Sequence, residues 1–192
     1  WEMVLTGELL NNVKASLYRI AVGFITGSAA GVLLGMMIGF SKLVEAIGNP
    51  IIYFIYPVPK IALLPLFILW LGIGELSKVT IISLGVFFPV VINTYSGVVN
   101  VDPLLIKAAV SFKATRFNVI RKVILPGALP VIFAGLKMAS GTSLLLLVAA
   151  EMIAAKEGIG VMILHYGDLM LTTKLMVGVL TLSLLGVIFN KL

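Results

Sequence analysis

The chain has 192 residues, of which 60% are hydrophobic and only 11% charged, against roughly 25% charged in a soluble domain. So few charges cannot cover a globule in water, and the formal net charge of +6 forms no aromatic-interleaved basic face, which excludes nucleic acid as a partner. With no cysteine and a lone histidine, His165, the chain has no disulfide, no thiolate or multi-His metal site and no Cys nucleophile.

The sequence is that of a polytopic, all-α membrane protein. Spanning the hydrocarbon takes about 20 predominantly apolar residues, and five segments approach that length: roughly 15–40, 50–73, 79–99, 129–150 and 169–190. Ahead of them, Trp1-Glu2-Met3 resembles neither an initiator start nor a signal peptide. The chain stops at Phe189-Asn190-Lys191-Leu192 directly after an apolar run, and both ends read as incomplete.

In the first span Gly23, Gly27, Gly31, Gly35 and Gly39 recur every four residues, which puts them on one helix face and predicts close approach of a neighbouring backbone. The second span is interrupted by Pro57, Pro59 and Pro65, and each proline opposes a straight helix. Lys60 lies inside it. An intramembrane cation is either a counter-charge for an anionic solute or a side chain that snorkels to the headgroups.

Between the third and fourth spans, loop 99–127 carries Lys107, Lys113, Arg116, Arg121 and Lys122 against a single acid, Asp102. The positive-inside bias therefore makes this loop cytoplasmic. Alternation puts 41–49 inside too, and places the chain start, 74–78 and 151–168 outside. Asp102-Pro103 is a helix start, Thr115 a second cap, and Pro126 and Pro130 mark where the next span begins, so the loop reads as two short helices. The first of them, Leu104 to about Phe112, presents Leu104, Leu105, Ala108, Ala109 and Phe112 beside Lys107 and Lys113. Such a face fits a partner's groove or a layer of anionic headgroups equally well.

Polar residues on the otherwise apolar spans are Thr26, Ser28, Asn93, Thr94, Ser140, Thr142 and Ser143, each expected to bond its own helix or a neighbour. Lys60, Lys137 and Glu151 are the ionisable candidates at mid-depth. Glu151 falls near the outer end of its span and reads as interfacial. As a translocation path, Lys60, Asn93, Ser140, Ser143 and Glu151 are the candidates.

The loop segment from Ile106-Lys107-Ala108-Ala109 through Lys113-Ala114-Thr115-Arg116-Phe117 to Ile124-Leu125-Pro126 resembles the EAA loop of ABC-importer permeases of the binding-protein-dependent, type I kind. Ala108, Ala109, Ala114, Leu125 and Pro126 fit that pattern in register. Lys107 stands where the family usually has Glu, and Lys113 where it usually has Gly. The stretches Tyr56-Pro57-Val58-Pro59-Lys60, Leu71-Gly72-Ile73-Gly74-Glu75 and Ala150-Glu151-Met152 resemble the subgroup that imports nitrate, sulfonates and taurine, with members that take bicarbonate or vitamin precursors.

The resemblance implies one permease domain over 1–192, with family members usually carrying one more N-terminal span and a short C-terminal tail. Its cytoplasmic coupling loop is residues 101–126, and the ATPase-coupling residues are Leu104, Leu105, Lys107, Ala108, Ala109, Phe112, Lys113, Ala114, Thr115 and Phe117. It further implies a second permease subunit in a homodimer, a cytoplasmic ATPase that holds ATP and Mg, an extracytoplasmic solute-binding protein, and the plasma membrane of a prokaryote. This chain has no Gly-x-x-x-x-Gly-Lys-Ser/Thr loop, so it is not the ATPase and has no catalytic, cofactor or metal residue of its own. The contrasting reading is a secondary transporter or channel without an ATPase.

Overall fold

A helix in hydrocarbon must satisfy its own backbone, so the apolar runs become helices and the places where they start and stop carry the structural information. The computed structural model describes residues 3 and 7–191. Trp1, Glu2 and Leu192, on which the reading of incomplete ends partly rests, lie outside the described residues. The described elements are α1 (Glu8–Phe40), α2 (Lys42–Ile55), a 3-10 turn (Lys60–Leu63), α3 (Leu64–Leu71), α4 (Glu75–Val99), α5 (Pro103–Ser111), α6 (Arg116–Val119), a π-helical turn (Ile120–Ile124), α7 (Leu125–Ala154), α8 (Ile159–Asp168) and α9 (Thr172–Lys191). Among the described residues four helices are long and apolar enough to cross a membrane, or five when the broken pair α2 and the 3-10 turn with α3 is taken as one span. That is the five-span, all-α architecture expected from hydropathy.

The chain forms two compact units. One comprises residues 1–27, 59–86 and 139–192, the other 28–58 and 87–138. The glycine stripe of α1 contributes to each, and in each it lies against α4. In the first unit a Cβ on Gly27 would stand 2.4 Å from the carbonyl oxygen of Ser83, and one on Gly23 2.6 Å from Ile82. In the second, a Cβ on Gly35 would stand 2.6 Å from Thr94 and 2.8 Å from the carbonyl of Val91, while Gly31 and Gly39 meet Val90 and Val98. The four-residue glycine spacing thus does what it predicts, because a real side chain at these positions has no room.

The second unit also packs Val98, Val101, Ala128 and Ile132 into a core, with Ile106 of α5 against it. That contact fixes this short helix to the ends of the long ones. In the first unit Met162 and Tyr166 of α8 pack with Leu175 and Val177 of α9. Only 6% of the apolar window of α9 is buried, so nearly all of it faces outward, as a helix solvated by lipid does.

Four boundaries differ from the sequence expectation. The polar turn Glu8 to Lys14 is already helical, since leaving the bilayer does not oblige a helix to stop. Residues 41–49 are not a loop: Ser41 caps α2, which runs through Pro50. The chain does break at Pro57 and Pro59, but Pro65 sits in the first turn of α3, where its missing N–H has no intrahelical partner to lose. The outer loop 151–168 contains α8, whose 10 residues are too few to register as a span.

The second helix expected in loop 99–127 is also not a separate element. Arg116 to Ala154 is one continuous helix of 39 residues. Pro126 lies inside it, and its ring would collide with the carbonyl four residues back in a regular α-helix. The preceding π-helical turn, in which the Leu125 N–H donates to the Ile120 carbonyl five residues back, widens the backbone at that point. The helix therefore absorbs the proline.

Replacing Gly27 or Gly35 with valine should cost about 1–3 kcal/mol by overpacking and lower the thermal unfolding midpoint in detergent. The same change at Gly141, where a Cβ meets nothing within 4 Å, should leave that midpoint nearly unchanged.

Candidate functional site

The short helix α5 is fixed at both ends by local chemistry. The Asp102 carboxylate accepts the N–H of Leu104 at 2.8 Å, and Pro103 supplies the preset first residue. At the other end Ala114 N–H donates to the Ala109 carbonyl at 3.1 Å and Lys113 N–H to that of Val110 at 2.9 Å. This paired C-cap needs a left-handed residue, and Lys113 supplies it with φ 57°. The tight turn usual for glycine is therefore made here by a lysine, at a cost of about 1 kcal/mol. Beyond it, Thr115 Oγ1 accepts the Asn118 N–H at 3.4 Å, as its position predicts.

Of the residues read as coupling residues, Leu104, Leu105, Lys107, Ala108, Phe112, Lys113, Thr115 and Phe117 are exposed, and Ala109 and Ala114 are half-buried. Phe112 is 87% and Leu104 70% exposed, so large apolar side chains are left uncovered by the chain on a helix that is capped at both ends. An exposed, pre-organised apolar face of this kind is a surface that a partner can cover without ordering it first.

The candidate path residues fall into different surroundings. Ser140 and Ser143 are buried, and Ser143 Oγ donates to the Ser140 carbonyl at 2.7 Å. Asn93 Nδ2 donates to the Pro89 carbonyl at 2.8 Å, and Asn93 fills the space opposite Gly135, so it belongs to a helix contact. Thr26 bonds the Val22 carbonyl at 2.7 Å and approaches Ser83 Oγ at 2.7 Å. Ser28 Oγ and Thr94 Oγ1 depart from the expectation of local bonding, since both are buried without a hydrogen-bond partner among the described residues. Lys60 opens the 3-10 turn after Pro59 and is half-buried, and Lys137 is exposed on α7.

Glu151 is fully buried inside the protein, in a charge network in the first unit that the sequence reading did not assemble. One Glu151 oxygen accepts from Arg19 Nη1 at 2.7 Å and from Ser16 Oγ at 2.7 Å, and the other accepts the Gly160 N–H at 2.8 Å. Arg19 grips the Glu75 carboxylate with two nitrogens, at 2.6 and 2.8 Å, and donates to the Glu157 carbonyl at 2.6 Å. Lys78 closes the set, 3.2 Å from Glu75 and 3.3 Å from the Ala154 carbonyl. Two cations and two carboxylates balance to zero.

The same network starts α8. The N–H groups of Gly158, Ile159 and Gly160 are received by Asn12, Ser16 and Glu151, at 2.7, 2.9 and 2.8 Å. These are the free donors that any helix N-terminus exposes, and here α1 and α7 satisfy them. Glycine is required beside the carboxylate, because a Cβ on Gly158 would lie 2.4 Å from it. A mid-helix arginine within an apolar span, Arg19 in 15–40, was the available sequence signal. Only its pairing partners lay too far along the chain to be inferred.

Comparison with known proteins follows from this geometry. Residues 29–192 match the family described as binding-protein-dependent transport system inner membrane component. An SsuC permease of Bacillus subtilis (strain 168), named for aliphatic sulfonates transport, is 40% identical over 96% of this chain and 67% of its own length. The taurine transport system permease protein TauC of Escherichia coli (strain K12) is 39% identical over 93% of this chain and 65% of its own. The nitrate import permease protein NrtB of Leptolyngbya laminosa is 33% identical over 94% and 64%. The chain thus spans about two thirds of the length of these relatives. In fold it is similar to a chain of the MetNI methionine ABC transporter in an inward-facing conformation, with a TM-score of 0.79 at 19% identity over 97% of this chain and 93% of that one. A chain of an amino acid ABC transporter gives 0.69 at 18% identity, over 99% and 96%.

Arg19→Met should destabilise the protein by about 3 kcal/mol, because it leaves the buried Glu151 carboxylate without its cation, whereas Glu75 keeps Lys78 at 3.2 Å. Combining it with Glu151→Gln should recover part of that loss, as a double-mutant cycle on thermal unfolding in detergent can measure. At the turn that ends α5, Lys113→Gly should raise stability by about 0.5–1 kcal/mol in the same assay and Lys113→Val should lower it.

Proposed function

Because this chain belongs to the family of binding-protein-dependent transport system inner membrane components, we propose that it is the membrane-spanning subunit of an ATP-driven importer for a small oxyanion. Sulfonates, taurine and nitrate are the solutes named for its relatives. The observation that carries the reading is α5, a helix stopped at both ends, anchored by Ile106 and exposing Leu104, Leu105, Ala108 and Phe112.

In this reading α5 seats in a groove of a cytoplasmic ATPase, which holds ATP and Mg. Two permease copies face each other in a prokaryotic plasma membrane, and a solute-binding protein delivers the anion from outside. Closure of the two ATPases carries the docked helices together, and the rigid link from α5 through the continuous helix 116–154 tilts the spans between inward- and outward-open arrangements. A floppy loop would dissipate that motion. The capped turn at Lys113 and the packed Ile106 supply the stiffness the lever needs.

The contrasting reading of a carrier without an ATPase receives less support. A proton-coupled carrier needs titratable groups at mid-depth that can exchange protons during the cycle. Here Arg19, Glu75, Lys78 and Glu151 are engaged with one another.

Ala108→Asp places a carboxylate on the exposed face of α5 and should abolish ATP-coupled uptake and co-purification of the ATPase while the protein still inserts in the membrane. Uptake assayed in vesicles containing the permease, its ATPase and its binding protein gives the test. Normal uptake by that variant would remove the coupling role.

A further inference from the structure

The charge network of the first unit borders a cavity of about 380 Å³, within the roughly 300–1,000 Å³ range of small-molecule sites. One wall is a single face of α1, where Asn11, Lys14 and Tyr18 follow one another at helical spacing and the small Ala15 leaves room between them. Arg19, Glu75 at the start of α4 and Glu157 in the turn before α8 complete the lining. That turn is held in place. Arg19 Nη1 donates to the Glu157 carbonyl at 2.6 Å, and the Gly158 N–H donates to Asn12 at 2.7 Å. The Glu157 carboxylate therefore extends from a fixed point of the backbone.

The charges of the lining, Lys14 and Arg19 against Glu75 and Glu157, sum to zero, yet they do not all pair with one another. Arg19 and Glu75 are joined. The Lys14 ammonium and the Glu157 carboxylate are both exposed, and among the described residues neither makes an ion pair or a hydrogen bond. Arg19 adds a second unmet demand. Its side chain is only 4% exposed, and it spends four of its five N–H groups, on Glu75 from Nε and Nη2 and on Glu151 and the Glu157 carbonyl from Nη1. The fifth, on Nη2, has no acceptor among the described residues, and buried donors are rarely left so.

These demands have opposite signs. A bare anion in the cavity would gain Lys14 and the spare Arg19 donor but would meet the unpaired Glu157. A bare cation would gain Glu157 and the open face of Tyr18 but would meet the unpaired Lys14. A molecule that carries both charges answers both.

We infer that this cavity binds a small zwitterion, with its oxyanion on Lys14, Asn11 and Arg19 and its primary ammonium on Glu157 and Tyr18. A free aminoalkanesulfonate and the phosphoethanolamine headgroup of a lipid share this chemistry. The inference goes beyond the proposed function, because the site uses no residue of α5 and its occupancy needs no ATPase.

The probe is 2-aminoethanesulfonate, titrated calorimetrically into the full chain in nanodiscs of phosphatidylglycerol, with ethanesulfonate and ethylamine as controls that carry one charge each. The aminosulfonate should bind saturably and at least about tenfold more tightly than either control. Lys14→Met and Glu157→Gln should each weaken it at least about tenfold, since each removes one of the two unpaired charges. Both side chains are exposed and lie outside the Arg19–Glu151 bonds, and thermal unfolding of each disc preparation checks that the fold is kept. A second set of discs contains phosphatidylethanolamine. Competition in those discs, with that lipid retained through purification by the wild type and lost from Glu157→Gln, supports the site and assigns it to the headgroup; unchanged binding of the probe assigns it to the free solute. Equal binding of either control, with no loss when the rim charge opposite to it is removed, overturns the inference. So does the absence of both saturable aminosulfonate binding and lipid retention.

Discussion

An amide in hydrocarbon has no water to bond, so each place where a helix begins or ends within or near the bilayer has to be completed by some other part of the protein. The start of α8 shows the consequence. Its three leading N–H groups are taken by Asn12, Ser16 and Glu151, and the carboxylate that does this is neutralised by Arg19, which in turn holds Glu75. One unsatisfied helix end thereby recruits α1, α4 and α7 into a common fastening. Removing any single charge would expose the desolvation cost that the others now offset.

The same need is met differently in loop 99–127. Around α5 the caps are local, with Asp102 at one end and the Lys113 turn at the other, so the helix depends on nothing distant for its shape. Ile106 attaches it by packing on the Val98, Val101, Ala128 and Ile132 core. A surface that is rigid, apolar and exposed is poorly suited to a free monomer in water and well suited to transmitting force from a partner. That contrast between a long-range fastening and a self-contained lever is the structural basis of the functional reading.

Much of this was legible in the sequence because the signals are local. Apolar length gave the spans, glycine spacing gave the close approach of a neighbouring helix though not which one, and Asp102-Pro103 and Thr115 gave the caps of the loop. What was not legible depended on residues far apart or on how the backbone accommodates a rule violation. Arg19 and Glu151 are separated by 132 positions, so no window of sequence pairs them. Pro126 and Pro130 read as the entry to the next span, yet a π-helical turn lets one helix run through from the loop. Lys113 stands where a glycine would be expected to turn the chain, and only the backbone angle reveals that lysine makes the turn itself. The coupling residues were readable as a surface. The roles of Lys60, Asn93, Ser140 and Ser143 as path residues rest on polarity alone, and of these Asn93 and Ser143 bond their own helices.

The central claim is that the α5 face seats in an ATPase, and the chain suits a direct measurement because it contains no cysteine. A single cysteine at Ala108, treated with a short bifunctional cross-linker in membranes that hold the assembled transporter, should yield a covalent adduct with the ATPase subunit. A cysteine at Leu180, exposed on α9, should give none. Equal yields from the two positions, or no ATPase adduct from position 108 in a complex active in uptake, would contradict the account.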